Sequence, residues 1–281
     1  MRARVPASSA NLGPGFDTLA VALTRYVEVS VEPAASFSIE TSGEGAGRFD
    51  DEAHLGARVA HEVLGHSHFA LRVHSDIPLS RGLGSSAALA LAAAAAAGAP
   101  DPLGVATRVD GHAENAAASL LGGLVVAAVR DAGPVARSLP LDPSWRFVVV
   151  VPDEPLATAD ARRVLPATVS FADAIFNLNA MGLLVAGLAQ REQFVPGSMD
   201  DALHQPYRMG LLPFAATLLA RLREAGAAGS CWSGAGSTML GLAGEDVAED
   251  VAGAAREFLS ETGVAGTAQV LEADRTGLVT S

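Results

Sequence analysis

Residues 81–98 read RGLGSSAALALAAAAAAG, two glycines and two serines set directly against an almost unbroken run of alanine and leucine. Alanine and leucine are the strongest helix formers, so Ser86–Ala97 reads as a helix of about twelve residues, roughly 18 Å long, closed by Gly98. Methyl-sized side chains let neighbouring elements approach closely, which suits a core helix. Gly82 and Gly84 in front of it permit positive φ and close contact with another group. The first N–H groups of a helix have no partner within it, and together with the helix dipole they favour an anion. Ser85 and Ser86 add hydroxyls that can cap the helix, bond a phosphate or ligate Mg2+. Two readings follow from the stretch alone: a serine-capped core helix after a turn, or a phosphate-binding helix N-terminus.

What the chain lacks narrows the second reading. All 19 basic residues are arginine. A phosphate loop of the GxxxxGK[ST] type, the strand lysine of protein kinases and Schiff-base chemistry all need lysine, so none can exist here. The net charge of −12, with no basic stripe, speaks against nucleic acid and anionic membranes as partners. Cys231 is the only cysteine and can form neither an internal disulfide nor a zinc cluster. Beside a glycine loop, it reads as a small buried hydrophobe. His61, His66 and His68 do not share a ligand-bearing helix face, and Trp145 and Trp232 read as packing residues. The longest nearly uninterrupted apolar run, Ala87–Ala97, is too short to cross a bilayer, and no signal-like stretch follows Met1. The expectation is a cytoplasmic protein.

Period-2 alternation marks strands at Val27–Val31, Phe37–Thr41 and Phe69–His74, and FVVVV at Phe147–Val151 reads as a fully buried strand. Glu52–Leu64, Val105–Leu121, Asp173–Leu188, Leu211–Ala225 and Asp246–Thr262 read as helices, with strands at Leu124–Val129, Leu240–Ala243 and Ala268–Glu272. Asp131–Pro143 is rich in Pro, Asp and Ser and reads as a loop or domain boundary. The pattern predicts an α+β protein of two lobes, divided into residues 1–143 and 144–281.

Three glycine-rich stretches occur in order: PASSANLGPGFD (Pro6–Asp17), PLSRGLGSSAALA (Pro78–Ala90) and SGAGSTM (Ser233–Met239). Between the last two lie GHAENAAASLLGG (Gly111–Gly123), TADARRVLP (Thr158–Pro166) and LHQPYR (Leu203–Arg208). This series resembles the GHMP small-molecule kinases, most closely the branch that phosphorylates L-homoserine. The resemblance implies a mixed N-terminal sheet with helices, a ferredoxin-like C-terminal lobe, ATP and Mg2+ as cofactors, and L-homoserine as acceptor. It implies that Arg81, Gly82, Leu83, Gly84, Ser85, Ser86 and Ala87 form the ATP phosphate loop, with Ser86 and Asp110 on the metal and His54 at the adenine. It implies that Asp17, His112, Asn115, Thr158, Arg208 and Gly234 surround the amino acid, with Arg162 and Asn11 closest to the chemistry, Asn11 orienting the acceptor hydroxyl. The residue types agree: a carboxylate suits the ammonium of a zwitterion and arginines suit its carboxylate. The chain departs from the family at Asp110 (usually glutamate), Glu114 (usually aspartate), Ser237 (usually proline) and His54 (usually asparagine). Another amino alcohol as acceptor, or a binding regulator without turnover, stays open at this point. So does a homodimer.

Overall fold

The computed structural model describes residues 1–281. β1 (Arg2–Asn11) turns through Leu12–Pro14 and returns as the long β2 (Gly15–Pro33), followed by β3 (Ser38–Gly43), α1 (Leu55–Leu64) and β4 (Phe69–Ser75). Three helices come next: α2 (Ser85–Ala96), α3 (Pro102–Asp110) and α4 (Glu114–Leu121). The hairpin of β5 (Leu124–Arg130) and β6 (Gly133–Leu139) ends this half. The second half begins with β7 (Trp145–Pro152), α5 (Thr158–Arg163), α6 (Phe171–Ala189) and the short α7 (Gln205–Arg208). It continues through α8 (Ala215–Glu224), β8 (Gly229–Trp232), β9 (Met239–Gly244), α9 (Ala248–Thr262), β10 (Gly266–Leu271) and β11 (Val279–Thr280).

The first sheet has the order β11-β1-β2-β4-β3, with β5 also on β2 and β6 on β5. Only β3 and β4 run parallel. The second sheet, β10-β7-β9-β8, is antiparallel throughout. Counted along the chain its spatial order is 4-1-3-2 with helices after the first and third strands, the ferredoxin-like arrangement. The last strand, β11, returns to the first sheet beside β1, which a simple division at residue 143 does not foresee.

α2 packs against α1, α3, α4 and the β1–β2 pair. Ala87, Ala88, Ala90, Ala92, Ala93 and Ala94 are fully buried, so alanine is what allows so many neighbours to close on one helix. β7 explains its own valine run. Phe147 and Val149 face the core that holds α2, whereas Val148 and Val150 face the layer of α8 and α9. Cys231 and Leu240 also join the α2 core, so one apolar layer connects both sheets.

Several expectations change. Val105–Leu121 is two helices, because Gly111 adopts the left-handed conformation (φ 80°) and caps α3. Asp131–Pro143 contains the strand β6. The first glycine stretch is mostly strand, with its turn confined to Leu12–Pro14, and the third joins the strands β8 and β9. The longest apolar helix is α6, not the alanine run.

Enlarging a methyl group in a helix enclosed on all sides forces neighbours apart. Ala93→Leu is expected to destabilise the protein by about 1–3 kcal/mol, read as a lower midpoint in urea unfolding.

Candidate active site

Gly84 precedes α2 in the left-handed conformation (φ 67°), and no side chain caps the helix. The N–H groups of Ser85, Ser86 and Ala87 have no acceptor within the protein. The Ser86 hydroxyl instead donates to Asp110 Oδ1 at 2.6 Å. The serine-capped reading of this stretch is therefore overturned: the helix end is open. Glycine is required where other backbone closes in. A Cβ on Gly82 would lie 2.1 Å from the Ser233 carbonyl oxygen, and one on Gly84 2.1 Å from Ser8 Oγ.

The three glycine stretches lock together. Ser233 Oγ donates to the Gly82 carbonyl (2.7 Å), Asn11 Nδ2 donates to the Gly234 carbonyl (2.8 Å) and the Gly234 N–H donates to the Ala10 carbonyl (3.0 Å). Around them opens a cleft of about 210 Å³. A second hollow of about 190 Å³ shares Ser80, Ser85 and Ser86 with it and is lined by Phe49, His54, Leu55, Leu79 and Leu89. His54 caps α1 there: its Nδ1 accepts from the Gly56 N–H, which leaves Nε2 to donate. Burial holds its pKa below the ordinary value.

One end of the cleft is acidic. The break between α3 and α4 places Asp110 at the end of one helix and Glu114 at the start of the next. Burial raises the Asp110 pKa. Glu114 is buried, with Oε1 2.8 Å from His112 Nδ1 and Oε2 without any partner. The His112 contact is a charge pair rather than an aligned hydrogen bond. Burial pulls the His112 pKa down, but Glu114, Asp110 and Asp17 outweigh it and leave it raised. Asn115 Oδ1 accepts from Ser8 Oγ at 2.9 Å, tying α4 to β1.

The other end is basic. Arg162 donates to both oxygens of Asp17, Nη2 to Oδ1 at 2.6 Å and Nη1 to Oδ2 at 3.0 Å. Asp17 N–H donates to Asn11 Oδ1 at 3.0 Å. Arg208 is fully buried, giving Nε to the Ala161 carbonyl (3.2 Å) and Nη1 to the Gly234 carbonyl (2.9 Å) and His204 Nδ1 (3.1 Å). Its Nη2 is uncommitted. Burial and the nearby Arg162 charge lower its pKa to about 10. Both guanidiniums lie over Phe16, which stacks on His204.

The cleft thus brings together Asn11, Asp17, Gly82, Gly84, Ser85, Ser86, Asp110, His112, Asn115, Thr158, Arg162, Arg208 and Gly234. Leu83 and Ala87 stay in the chain around the helix start with their side chains buried in the core. Arg81 goes elsewhere. Its guanidinium donates to the carbonyls of Leu79, Pro152 and Asp153, bracing the loop against the end of β7, and the side chain does not line the cleft. Ser237 is buried with its hydroxyl on the Glu154 carbonyl, so a hydrogen bond replaces the stiffness of proline. Glu114 was noted only as a departure from the family, and His204 and Gln205 were not singled out by sequence reasoning. The latter two sit in the LHQPYR block, and Gln205 Oε1 accepts from the Trp232 N–H at 2.9 Å.

An open helix N-terminus thus lies beside a hard-oxygen acidic pair, on a mixed sheet joined to a ferredoxin-like lobe. The family model "GHMP kinases N terminal domain" matches residues 52–123 and "GHMP kinases C terminal" matches residues 184–261. The chain is 40% identical over 252 residues to the homoserine kinase of Moorella thermoacetica, covering 84% of this chain and 85% of the relative. It is 37% identical over 292 residues to that of Desulfitobacterium hafniense, covering 99% and 98%. The crystal structure of homoserine kinase from Cytophaga hutchinsonii superposes with a TM-score of 0.87 at 25% identity, covering 99% and 96%. The chain belongs to the GHMP kinases and, within them, to the homoserine kinase family.

His204 carries a prediction. Burial depresses its pKa from the ordinary 6.5 to about 4, and its Nε2 lies 2.8 Å from the Gly13 carbonyl while Nδ1 faces Arg208. The folded state binds fewer protons than the unfolded chain between those values, so stability rises with pH across that window. The Tm of the wild type should fall as pH drops from 6.5 towards 4, and His204→Gln should flatten that part of the profile.

Proposed function

We propose that the protein transfers the γ-phosphoryl group of ATP to the side-chain hydroxyl of L-homoserine, giving ADP and O-phospho-L-homoserine, a step of threonine biosynthesis. The observation that carries the reading is the open N-terminus of α2 set between an acidic and a basic end of one cleft. Hydrogen bonds to charged acceptors contribute about 1.5–3 kcal/mol each, against about 0.3–1 kcal/mol for a helix dipole at its terminus. The N–H groups of Ser85, Ser86 and Ala87 are therefore the main phosphate ligands, and the dipole is secondary. The adenine goes to the hollow of Phe49, His54 and Leu89, where His54 Nε2 can donate to a ring nitrogen.

Ser86 and Asp110 suit Mg2+: they are adjacent hard-oxygen donors, and the Asp110 charge is disfavoured by burial until a cation compensates it. They would hold it, and its chemistry is to neutralise charge on the phosphate oxygens. The amino acid goes to the basic end. Two arginines face one carboxylate there, an excess of positive charge that suits the carboxylate of a zwitterion. Asp17 and Arg162 are each more than a third exposed, so their pair contributes little and is readily exchanged. The substrate ammonium replaces Arg162 on Asp17, while its carboxylate takes Arg162 and the free Nη2 of Arg208. The second hydrogen of Asn11 Nδ2 orients the acceptor hydroxyl. The oxygen–phosphorus bond forms as the bond from the γ-phosphorus to the β,γ-bridging oxygen breaks, ADP leaves with that oxygen, and the hydroxyl proton passes to solvent. Catalysis is positioning and charge stabilisation. ATP as the donor also suits a cytoplasmic enzyme.

The test is ADP release from ATP with Mg2+ over a panel of acceptors. L-Homoserine should turn over. 3-Amino-1-propanol lacks the carboxylate and 4-hydroxybutyrate lacks the ammonium, so each should lose at least about 100-fold in kcat/KM. Ser86→Ala should lower kcat by more than roughly tenfold. Comparable turnover of another amino alcohol would change the acceptor. ATP binding without turnover of any acceptor would make the chain a binding regulator.

A further inference from the structure

α7 is a single turn, and His204 and Arg208 stand at its two ends, four residues apart on one face. Both are fully buried. Arg208 Nε donates to the Ala161 carbonyl, and Nη1 divides its two hydrogens between the Gly234 carbonyl and His204 Nδ1. Only the Nη2 hydrogens are left for the cleft that Arg208 lines. A guanidinium can only donate, so Nδ1 of His204 is the bare nitrogen and Nε2 carries the hydrogen. That hydrogen goes to the Gly13 carbonyl at 2.8 Å, in the turn that joins Asn11 to the strand of Asp17. The ring stacks on Phe16 with 4.9 Å between centres.

The charges around this ring are also arranged. The three acceptors that hold Arg208 are two carbonyls and an imidazole, all neutral. A carboxylate in place of His204 would hold the guanidinium as firmly but cancel its charge, leaving less attraction for an anionic ligand. Asp201 lies on the Nε2 side of the ring, at 3.5 Å, and its oxygens already accept the N–H groups of Leu203, His204 and Gln205. We propose that His204 is a positioning residue for amino-acid recognition: its neutral ring aims Arg208 Nη2 at the substrate carboxylate and ties that group to the turn that carries Asp17. This role rests on the acceptor proposed above, bound through both its carboxylate and its ammonium. His204 acts on the end of the substrate remote from the transferred phosphoryl group, so its loss weakens binding more than it slows the chemistry.

Two amide variants separate the two ring nitrogens. In His204→Gln the amide nitrogen reaches the Nε2 position and keeps the Gly13 bond, but nothing accepts from Arg208. In His204→Asn the amide oxygen stands in for Nδ1. The glutamine variant should raise the KM for L-homoserine about tenfold, with kcat within about threefold of wild type. Competitive inhibition by 4-hydroxybutyrate, which keeps the carboxylate, should weaken in step. Inhibition by 3-amino-1-propanol, which lacks it, and the KM for ATP should not move. The asparagine variant should recover most of the loss. In the wild type, imidazole 15N shifts near neutral pH should show Nδ1 bare and Nε2 protonated. An unchanged KM in the glutamine variant, equal losses with both amides, parallel loss of both inhibitors, or a hydrogen on Nδ1 in the wild type would overturn the positioning role. A wild type that does not turn over L-homoserine would overturn the proposed acceptor instead.

Discussion

Three N–H groups at the start of α2 find no acceptor inside the protein, and much of the fold exists to hold them that way. A helix this rich in alanine can be enclosed by α1, α3, α4 and the β1–β2 pair, which fixes its axis and aims its end into the cleft. Gly82 and Gly84 then allow the Ser233 carbonyl and Ser8 to approach so closely that the loop cannot fold back over the helix end. Nothing caps the terminus because the N-cap position is Gly84, which has no side chain, and the Ser86 hydroxyl is turned towards Asp110.

The charges of the cleft are arranged around that end. Glu114 is buried and Asp110 half-buried with too little positive charge to balance them, while Arg162 and Arg208 crowd a single carboxylate. In the proposed function each imbalance answers a charged part of the substrates. The two arginines differ in kind. Arg208 is buried and held by Ala161, Gly234 and His204, which makes it a fixed reference point. Arg162 is exposed enough to exchange partners. Lysine is absent, and the arginine next to the Gly82–Ser86 loop donates to backbone carbonyls, which leaves the main-chain N–H groups as the uncommitted donors at that end.

The ordered motifs made the fold and most of the cleft legible through their resemblance to the GHMP kinases, since each glycine stretch alone is compatible with an ordinary turn. α2 was legible from its own residues: alanine at this density has little other use. The break between α3 and α4 was hidden because Gly111 sits in a run whose apolar spacing continues on both sides. The side-chain destination of Arg81 could not be read, since its acceptors are carbonyls about 70 residues away in the chain. His204 and Gln205 escaped notice for a similar reason: their work is to hold Gly13, Arg208 and Trp232, partners that only tertiary packing supplies.

The central claim is that backbone N–H groups, not side-chain cations, receive the phosphates. The most direct measurement follows the amide 1H–15N resonances of Ser85, Ser86 and Ala87 as a non-hydrolysable ATP analogue is added with Mg2+. All three should shift strongly downfield, whereas adenosine alone should perturb the residues around His54 and leave these three in place. Saturable binding of the analogue with the Ser85–Ala87 amides unmoved would contradict the account.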